Sequence, residues 1–232
     1  MSENNNNTQI DPEVAIENAL SKWEQFIEKN GKKLLVGLIA VVAIVGAYFA
    51  YENLYKQPLS NQAADAMFAA QKAFQQDSLL IALNGTNNIE GFIQITQNYG
   101  GTPQANLAQH YAGICFLQMG EYQKAVDQFA NYNQTNNTLG NIIYAQNLGL
   151  TGDAYAQLEN LDKALEAYTK AANVTNNVAT TPTYNHKAAV VLCTQNKYAE
   201  AVVLFELIKK EFPNAIEARD IDKYIEMAKQ KI

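Results

Sequence analysis

The longest apolar run of the chain lies near its N-terminus, where Leu34–Tyr51 contains no charged residue. A helix over this run is long enough to cross the hydrocarbon layer of a bilayer. Tyr48, Phe49 and Tyr55 place aromatic groups at one end of it, as the headgroup interface favours. A buried core helix is the alternative, but no polar stripe interrupts the run. The pattern predicts a single transmembrane helix over residues 34–55.

An amphipathic pattern precedes this run. Asp11 and Pro12 are typical of a helix start, with an N-cap carboxylate and a proline that needs no N–H partner. Apolar residues then recur every three or four positions, at Ile16, Leu20, Trp23 and Ile27. We predict a cytoplasmic amphipathic helix over residues 11–33, after a disordered tail over residues 1–10. Its apolar face has two interpretations, docking on a membrane partner or resting at the lipid interface.

The charges on either side of the apolar run predict its orientation. Lys29, Lys32 and Lys33 come directly before it, whereas Glu52 and Lys56 follow it. Lysine is enriched on the cytoplasmic side of membrane spans. We therefore expect a single-pass protein with a cytoplasmic N-terminus and an exported C-terminal region.

The chain after Pro58 shows helical periodicity throughout and no sustained alternation of the kind that a strand needs. Three segments in it align without gaps: Gly120–Ala125, Glu159–Ala164 and Asn196–Ala201. The alanine that ends each segment has similar neighbours in all three. Three residues before it stands a large side chain (Tyr122, Leu161, Tyr198), four after it an aromatic one (Phe129, Tyr168, Phe205), and twelve before it a small one (Gly113, Gly152, Ala189). This region is therefore all-α and built from an internal repeat.

These residues resemble the tetratricopeptide repeat, which has small residues where two antiparallel helices touch and aromatic residues where the next repeat packs. The resemblance covers residues 105–213 and implies three repeats of an α-solenoid. Residues 58–104 are then expected to form a degenerate first helix pair, whose first helix would run from Ser60 to about Leu83. Residues 214–232 would form the polar-backed capping helix that a solenoid needs.

Two features depart from that repeat. Glu159 and Asn196 stand where it has a glycine between its helices. Asn131–Asn141 and Thr175–Pro182 are long connections rich in Asn and Thr, which favour loops because their side chains compete for backbone hydrogen bonds. In other respects the packing of the repeat should hold. We expect the aromatic Phe129 to fill the space between its own helix pair and the next one.

The composition and the motifs of the chain limit the ligands and activities that can be expected of it. The 232 residues carry a net charge of −6, and they contain no basic patch of the kind that binds nucleic acid. Cys115 and Cys193 fall in apolar helical patterns and are expected in the core. His110 and His186 occupy the same repeat position, but at two repeats apart they are too distant to share a metal ion. Because no catalytic or phosphate-binding motif occurs, we expect no enzyme, no cofactor and no small-molecule substrate.

The concave positions of the tetratricopeptide repeat, carried onto this sequence, define a candidate groove. Its residues are Leu107, His110, Ile114, Leu117, Gln146, Gly149, Asp153, Ala156, Thr183, His186, Val190 and Cys193. The set is mixed and fairly apolar, and it lacks the Lys, Asn and Arg clamp with which some such repeats hold a peptide carboxylate. A purely structural groove and a groove that binds an extended segment both remain open.

A short cytoplasmic head, the Asn30-Gly31-Lys32-Lys33 approach, one span and an exported repeat array together resemble the YfgM-like family, an ancillary subunit of the SecYEG translocon in bacterial inner membranes. The resemblance implies a non-catalytic protein-binding module with repeats in the periplasm. Its partners would be translocon subunits and a periplasmic chaperone or nascent chain. Membrane docking would use the apolar face of the first helix together with Gly37 and Gly46 of the span, since small residues permit close helix contact. The alternative is a tetratricopeptide-repeat scaffold of an envelope assembly, tethered by its span.

Overall fold

The computed structural model describes residues 12–135 and 137–232, with side chains described from Leu20 onward. Within these ranges the chain is helical and forms no strand, apart from one isolated bridge between Thr86 and Ile89. The all-α prediction is therefore confirmed. The chain divides into two compact units, Met1–Gln57 and Pro58–Ile232.

The helices follow one another with short connections. In chain order they are α1 Pro12–Tyr51, α2 Gln57–Gln75, α3 Leu79–Asn84, α4 Phe92–Asn98, α5 Pro103–Gln118, α6 Tyr122–Ala130, α7 Thr138–Gln157, α8 Leu161–Asn173, α9 Thr181–Thr194, α10 Tyr198–Glu211 and α11 Ile221–Lys229. A π-helical turn, Glu52–Lys56, follows α1, and a 3₁₀ turn, Ile216–Ala218, precedes α11. The predicted tail over residues 1–10 lies outside the described residues.

Helix α1 is long and apolar enough to span a membrane. It runs unbroken through Asn30 and Gly31, so the predicted amphipathic helix and the predicted span are one α-helix. None of its most apolar stretch is buried, whereas the core helix of a soluble protein would be mostly covered. The α-helical pattern changes at Glu52, where Gln57 donates its N–H to the Glu52 carbonyl in π-helical spacing. Pro58 follows and has no N–H with which to resume the α-helical pattern.

The turns between helices repeat one backbone geometry. A residue with positive φ ends the first helix of each pair; these residues are Asp77 (59°), Gly120 (78°), Glu159 (58°) and Asn196 (61°). In the second of these turns, the N–H of Glu121 donates to the Phe116 carbonyl and the N–H of Gly120 to the Leu117 carbonyl. This arrangement closes a helix C-terminus by satisfying its last carbonyls. Glu159 and Asn196, which depart from the glycine pattern in sequence, therefore adopt the conformation that glycine favours.

The same geometry corrects the expectation for the start of the second unit. The helix predicted from Ser60 to about Leu83 is two helices, because the chain turns at Asp77. The N–H of Ser78 donates to the Ala73 carbonyl and closes α2 there. The other helix of that region, α4, begins at Phe92, directly after Gly91. Apolar periodicity continues across the turn, so the pattern alone did not locate it.

Small residues lie where the helices of each pair come closest. Ala125, Ala164 and Ala201 are fully buried, as expected for the seam between paired helices. A side chain on Gly113 would collide with the ring of Phe129, and one on Gly152 would come within 2.6 Å of the Tyr168 ring. The small residue on the first helix of each of these pairs therefore packs against the aromatic residue on the second helix of the same pair.

Aromatic side chains lie at the contacts within and between helix pairs. Phe129 lies against Gly113 of its own pair. Between the second and third pairs, the ring of Tyr184 on α9 covers Gly149 on α7 so closely that a Cβ on Gly149 would overlap it. Tyr184, on the first helix of its pair, therefore fills space between these two pairs, in the same cluster as Tyr168 of α8.

Hydrophobic clusters run through the second unit. One joins Met67 and Ala70 of α2 to Phe92 of α4 and Cys115 of α5. Two further clusters follow around α7–α9 and around α9–α11. Cys115 is fully buried as predicted, and burial raises the pKa of its thiol to about 12. Cys193 is only half-buried at the edge of the last cluster.

The C-terminal helix is shorter than predicted. Residues 214–232 contain the 3₁₀ turn and then α11, which begins at Ile221. Ile221, Ile225 and Ala228 are buried in the cluster that also holds Phe205 of α10. Ile216, which falls within the predicted capping helix, is 68% exposed because it lies in the 3₁₀ turn before α11 starts.

Candidate interaction cleft

We call α5, α7 and α9 the A helices, since each is the first helix of a predicted repeat. A cleft of about 420 Å³ crosses them. Its lining residues come from five consecutive helices; they are Leu117, Tyr122, Asp153, Ala156, Gln157, Tyr168 and Lys187. Leu117, Asp153 and Ala156 belong to the predicted groove, so the structure brings three of the predicted residues into one cavity.

Asp153 is the centre of the polar network in this cleft. Lys187 of α9 donates from Nζ to both carboxylate oxygens of Asp153, at 2.7 and 2.8 Å. Tyr168 of α8 donates from its hydroxyl to Asp153 Oδ1 at 2.7 Å. The Lys187 Nζ also lies 5.7 Å from the centre of the Tyr168 ring, within range of a cation–π interaction. One carboxylate on α7 therefore holds side chains from the two helices that follow it.

Burial affects the tyrosines around this network. It raises the pKa of Tyr168, and the Asp153 carboxylate beside the hydroxyl raises it further. Burial likewise raises the pKa of Tyr184 to about 12, with a smaller contribution from Asp153. Both hydroxyls are therefore protonated at neutral pH, and Tyr168 remains a hydrogen-bond donor to Asp153.

Charge is nearly absent from the A helices. Helix α5 contains no Asp, Glu, Lys or Arg, α7 contains only Asp153, and α9 contains only Lys187. These two charges neutralise each other in the ion pair. The remaining polar groups of the cleft are amides and hydroxyls, such as Gln157 and Tyr122. Such a surface suits an uncharged polypeptide segment better than a carboxylate or phosphate.

His110 is a buried link between two A helices. Its side chain is 8% exposed, and its Nδ1 lies 2.8 Å from Oδ1 of Asn147 on α7, which is 2% exposed. Burial lowers the pKa of His110, and the hydrogen bond to Asn147 opposes part of that effect. The residue was predicted to line a groove, but in the fold it joins α5 to α7 instead.

The lowered pKa of His110 predicts a pH-dependent stability. In the unfolded chain His110 is protonated with the usual histidine pKa of 6.5. In the folded chain the same side chain is protonated only at a lower pH. The stability that neutral His110 provides is thus present above that value and is lost as the pH falls below it. We expect the free energy of unfolding of the Pro58–Ile232 unit to decrease from pH 7 to pH 5, with a smaller decrease in His110→Gln. Urea titrations at several pH values measure how the free energy of unfolding changes with pH in the parent and in the variant. Equal changes in the two proteins would contradict the prediction.

His186 has other neighbours. Its ring centre lies 4.9 Å from that of Tyr224 and 5.6 Å from that of Phe205. Burial lowers the pKa of His186, and Glu217 opposes this. Glu217 itself accepts a 2.6 Å hydrogen bond from Thr183. His110 and His186 therefore share none of these neighbours, and no group of three metal-ligating side chains occurs in the part of the chain that the structure describes.

The other predicted groove residues lie apart from the cleft. Leu107 and Ile114 are half-buried on α5, Gln146 is exposed on α7, Gly149 is covered by Tyr184, Val190 is exposed and Cys193 is half-buried on α9. Sequence reasoning missed the role of Lys187. A signal for it exists, because Asp153 and Lys187 are the single charges of their helices and have opposite sign.

The predicted docking residues of the first unit are solvent-exposed. Leu20, Trp23 and Ile27 are 56%, 65% and 55% exposed. Gly37 and Gly46 have open space where a side chain would stand. The side chain of Ile16 lies outside the described residues. A face available for docking is therefore present on α1.

No protein-family model matches the chain, and no curated protein matches it either.

Proposed function

We propose that the chain is a non-catalytic protein-interaction module anchored in the bacterial inner membrane. It resembles an ancillary translocon subunit that links emerging chains to periplasmic chaperones. In this proposal α1 is the anchor, and the second unit is a tetratricopeptide-repeat solenoid closed by α11 as its capping helix. The observation that carries the proposal is the cleft across the A helices, whose two charges are paired with each other, combined with an exposed apolar helix on the same chain.

The exposed apolar stretch of α1 supports its role as a membrane anchor, and the lysines before it support the proposed orientation. The apolar stretch of α1 is entirely uncovered, and leaving so large an apolar surface in water is unfavourable. Lys29, Lys32 and Lys33 lie before the stretch, which favours a cytoplasmic N-terminus. The cleft would then lie in the periplasm.

The solenoid is supported by recurrence of local geometry. Each of the turns at Gly120, Glu159 and Asn196 has positive φ, and each is followed five residues later by a fully buried alanine. Nearest-neighbour contacts between successive helix pairs are typical of such arrays. At the C-terminal end, α11 covers the apolar side chains of α10 and turns exposed residues such as Asp222 and Lys223 outward.

The cleft supports binding of an extended polypeptide segment. It reaches across three helix pairs, from Leu117 on α5 to Lys187 on α9. Its ion pair has zero net charge, and around it the cleft offers the apolar Leu117 and Ala156 together with the amide of Gln157 and the hydroxyl of Tyr122. A chain that emerges unfolded exposes apolar side chains and unpaired backbone amides, which complement these groups.

Photo-crosslinking in cells tests the function. A photoreactive residue at Gln157, which lines the cleft, is expected to crosslink to newly exported chains or a periplasmic chaperone. The same residue at Asp127, exposed on α6 and outside the cleft, is the matched control and should give none of these products. A probe at Val42, 63% exposed on α1, is expected to crosslink to translocon subunits.

Two results would count against the proposal. Equal products from Gln157 and Asp127 would mean that the cleft has no special role. Products with stable envelope subunits only, from both Gln157 and Val42, would favour the alternative of a tethered scaffold.

A further inference from the structure

The Asp153–Lys187 ion pair can be reached from the cleft. The side chain of Asp153 is 29% exposed and that of Lys187 is 37% exposed. Both residues line the cavity of about 420 Å³. A segment that enters the cleft therefore comes into contact with both charged groups.

The hydrogen bonds of the pair leave one donor and one acceptor for a ligand. A lysine ammonium has three N–H donors, and a carboxylate has about four acceptor sites. Lys187 Nζ uses at most two of its donors, toward Oδ1 and Oδ2 of Asp153. Tyr168 donates to Oδ1, whereas Oδ2 accepts from Lys187 alone among the hydrogen bonds of the described residues. Nζ can therefore donate once more, and Oδ2 can accept once more.

The two charges select against a charged ligand group at this point. Nζ of Lys187 lies 2.8 Å from Oδ2 of Asp153. A ligand cation at Oδ2 would thus stand beside the lysine ammonium, and a ligand anion at Nζ would stand beside the carboxylate. Like charges at such short range repel each other strongly in a partly buried site. A neutral group that carries a donor and an acceptor side by side avoids both repulsions.

We propose that the Asp153–Lys187 pair binds the main chain of an extended polypeptide segment. Lys187 Nζ donates to the carbonyl oxygen of one ligand residue, and Asp153 Oδ2 accepts from the N–H of that same residue. In an extended chain these two groups lie on one edge, which is why a residue of a β-strand can exchange both hydrogen bonds with its neighbour. This inference rests on the proposed function of the cleft and adds what is recognised there, namely the peptide group.

The surroundings of the pair favour recognition of the main chain. When a protein binds an extended segment, main-chain hydrogen bonds provide affinity and side-chain pockets provide specificity. The cleft has no charged lining residue beyond this pair with which to select a ligand side chain. Lys187 and Tyr168 hold the Asp153 carboxylate from two different helices, so it is oriented before a ligand arrives. We therefore expect uncharged segments of different sequence to bind with similar affinity.

Peptides that differ only in the main chain test this expectation. The full-length protein in detergent micelles is titrated by calorimetry with an uncharged peptide of Ala, Ser, Thr and Val that has acetylated and amidated ends. A scrambled version and a version methylated at every backbone nitrogen are titrated in the same way. None of these side chains contains an amide, so the only amides are those of the backbone and its blocked ends. We expect the scrambled peptide to bind as well as the first one. The methylated peptide should bind about tenfold more weakly or worse, which is the loss expected for a hydrogen bond to a charged group.

Two substitutions separate recognition of the main chain from a loosened cleft. Asp153→Asn keeps the size of the side chain and an oxygen for Tyr168, but it replaces the Oδ2 acceptor with a donor. The preference for the unmethylated peptide is therefore expected to shrink several-fold. Lys187→Met removes the donor to the carbonyl, which both peptides possess, so both should bind several-fold more weakly with their ratio unchanged. The matched control is Lys209→Met, which breaks the ion pair with Asp222 outside the cleft and should change neither affinity.

Three results would overturn the inference. Equal binding of the methylated peptide, or much weaker binding of the scrambled one, would mean that side chains are recognised; the proposed function would then stand without main-chain recognition. An unchanged peptide preference in Asp153→Asn, with a circular dichroism spectrum like that of the parent, would assign the ligand N–H to another acceptor. If Asp153→Asn does not fold, the three peptides on the parent and on Lys187→Met still give the first result. If no peptide binds the parent, the proposed function of the cleft fails as well.

Discussion

Truncating Phe205 to alanine is expected to lower the free energy of unfolding of the Pro58–Ile232 unit by about 3–5 kcal/mol. Phe205 is 1% exposed at the centre of the last hydrophobic cluster. Its ring stacks on Tyr224 of α11 at 5.5 Å and lies 5.6 Å from His186. Removing it leaves a cavity between α9, α10 and α11, and those helices cannot close the cavity without losing their other contacts.

Urea denaturation of the Pro58–Ile232 fragment, followed by circular dichroism, measures this loss. Val203→Ala is the matched control, because Val203 is on the same helix and 62% exposed, and it is expected to change stability by less than about 0.5 kcal/mol. If the two substitutions have equal effects, α11 does not unfold together with the rest of the unit. The capping role that we propose for it would then be wrong.

Replacing Gly149 with alanine is expected to lower the free energy of unfolding of the same unit by about 1–3 kcal/mol. The ring of Tyr184 occupies the space that a Cβ on Gly149 would take, and Tyr184 is only 8% exposed. The ring cannot move out without opening the contact between α7 and α9. Alanine favours the helix over glycine by about 1 kcal/mol, so a net loss would come from the contact itself.

Gly100→Ala is the control for this substitution, since the nearest atom to its Cβ would be the Thr96 carbonyl oxygen at an ordinary 3.8 Å. Thermal melts of both variants compare their stabilities. In the double variant Gly149→Ala/Tyr184→Ala the two effects should not add, because the second change removes the ring that the first one meets. Full additivity would mean that α7 and α9 do not approach as closely as the structure has them.

Local pattern predicted the helices well and the turns less well. The apolar stretch of α1 and the buried alanines at Ala125 and Ala164 follow from residue type and spacing, which depend on the chain near each residue. The turn at Asp77 was missed, because apolar spacing continues through it and an aspartate there gives little sign of a left-handed backbone. The predicted capping helix includes Ile216, which lies before α11 in the structure, because one apolar residue in phase does not establish where a helix begins.

The candidate site was only partly predictable. Residue types and their spacing are enough to predict that the chain is helical, that one helix is apolar enough to span a membrane, and that a set of small and aromatic residues recurs. These properties follow from the 3.6-residue period of the α-helix and from the tendency of apolar side chains to leave water. The folded chain alone shows that Lys187 reaches Asp153, that Tyr184 covers Gly149, and that His110 is buried against Asn147. Each of these contacts joins two A helices across an intervening helix and loop, so it depends on how successive pairs stack, and no local spacing along the chain encodes that arrangement.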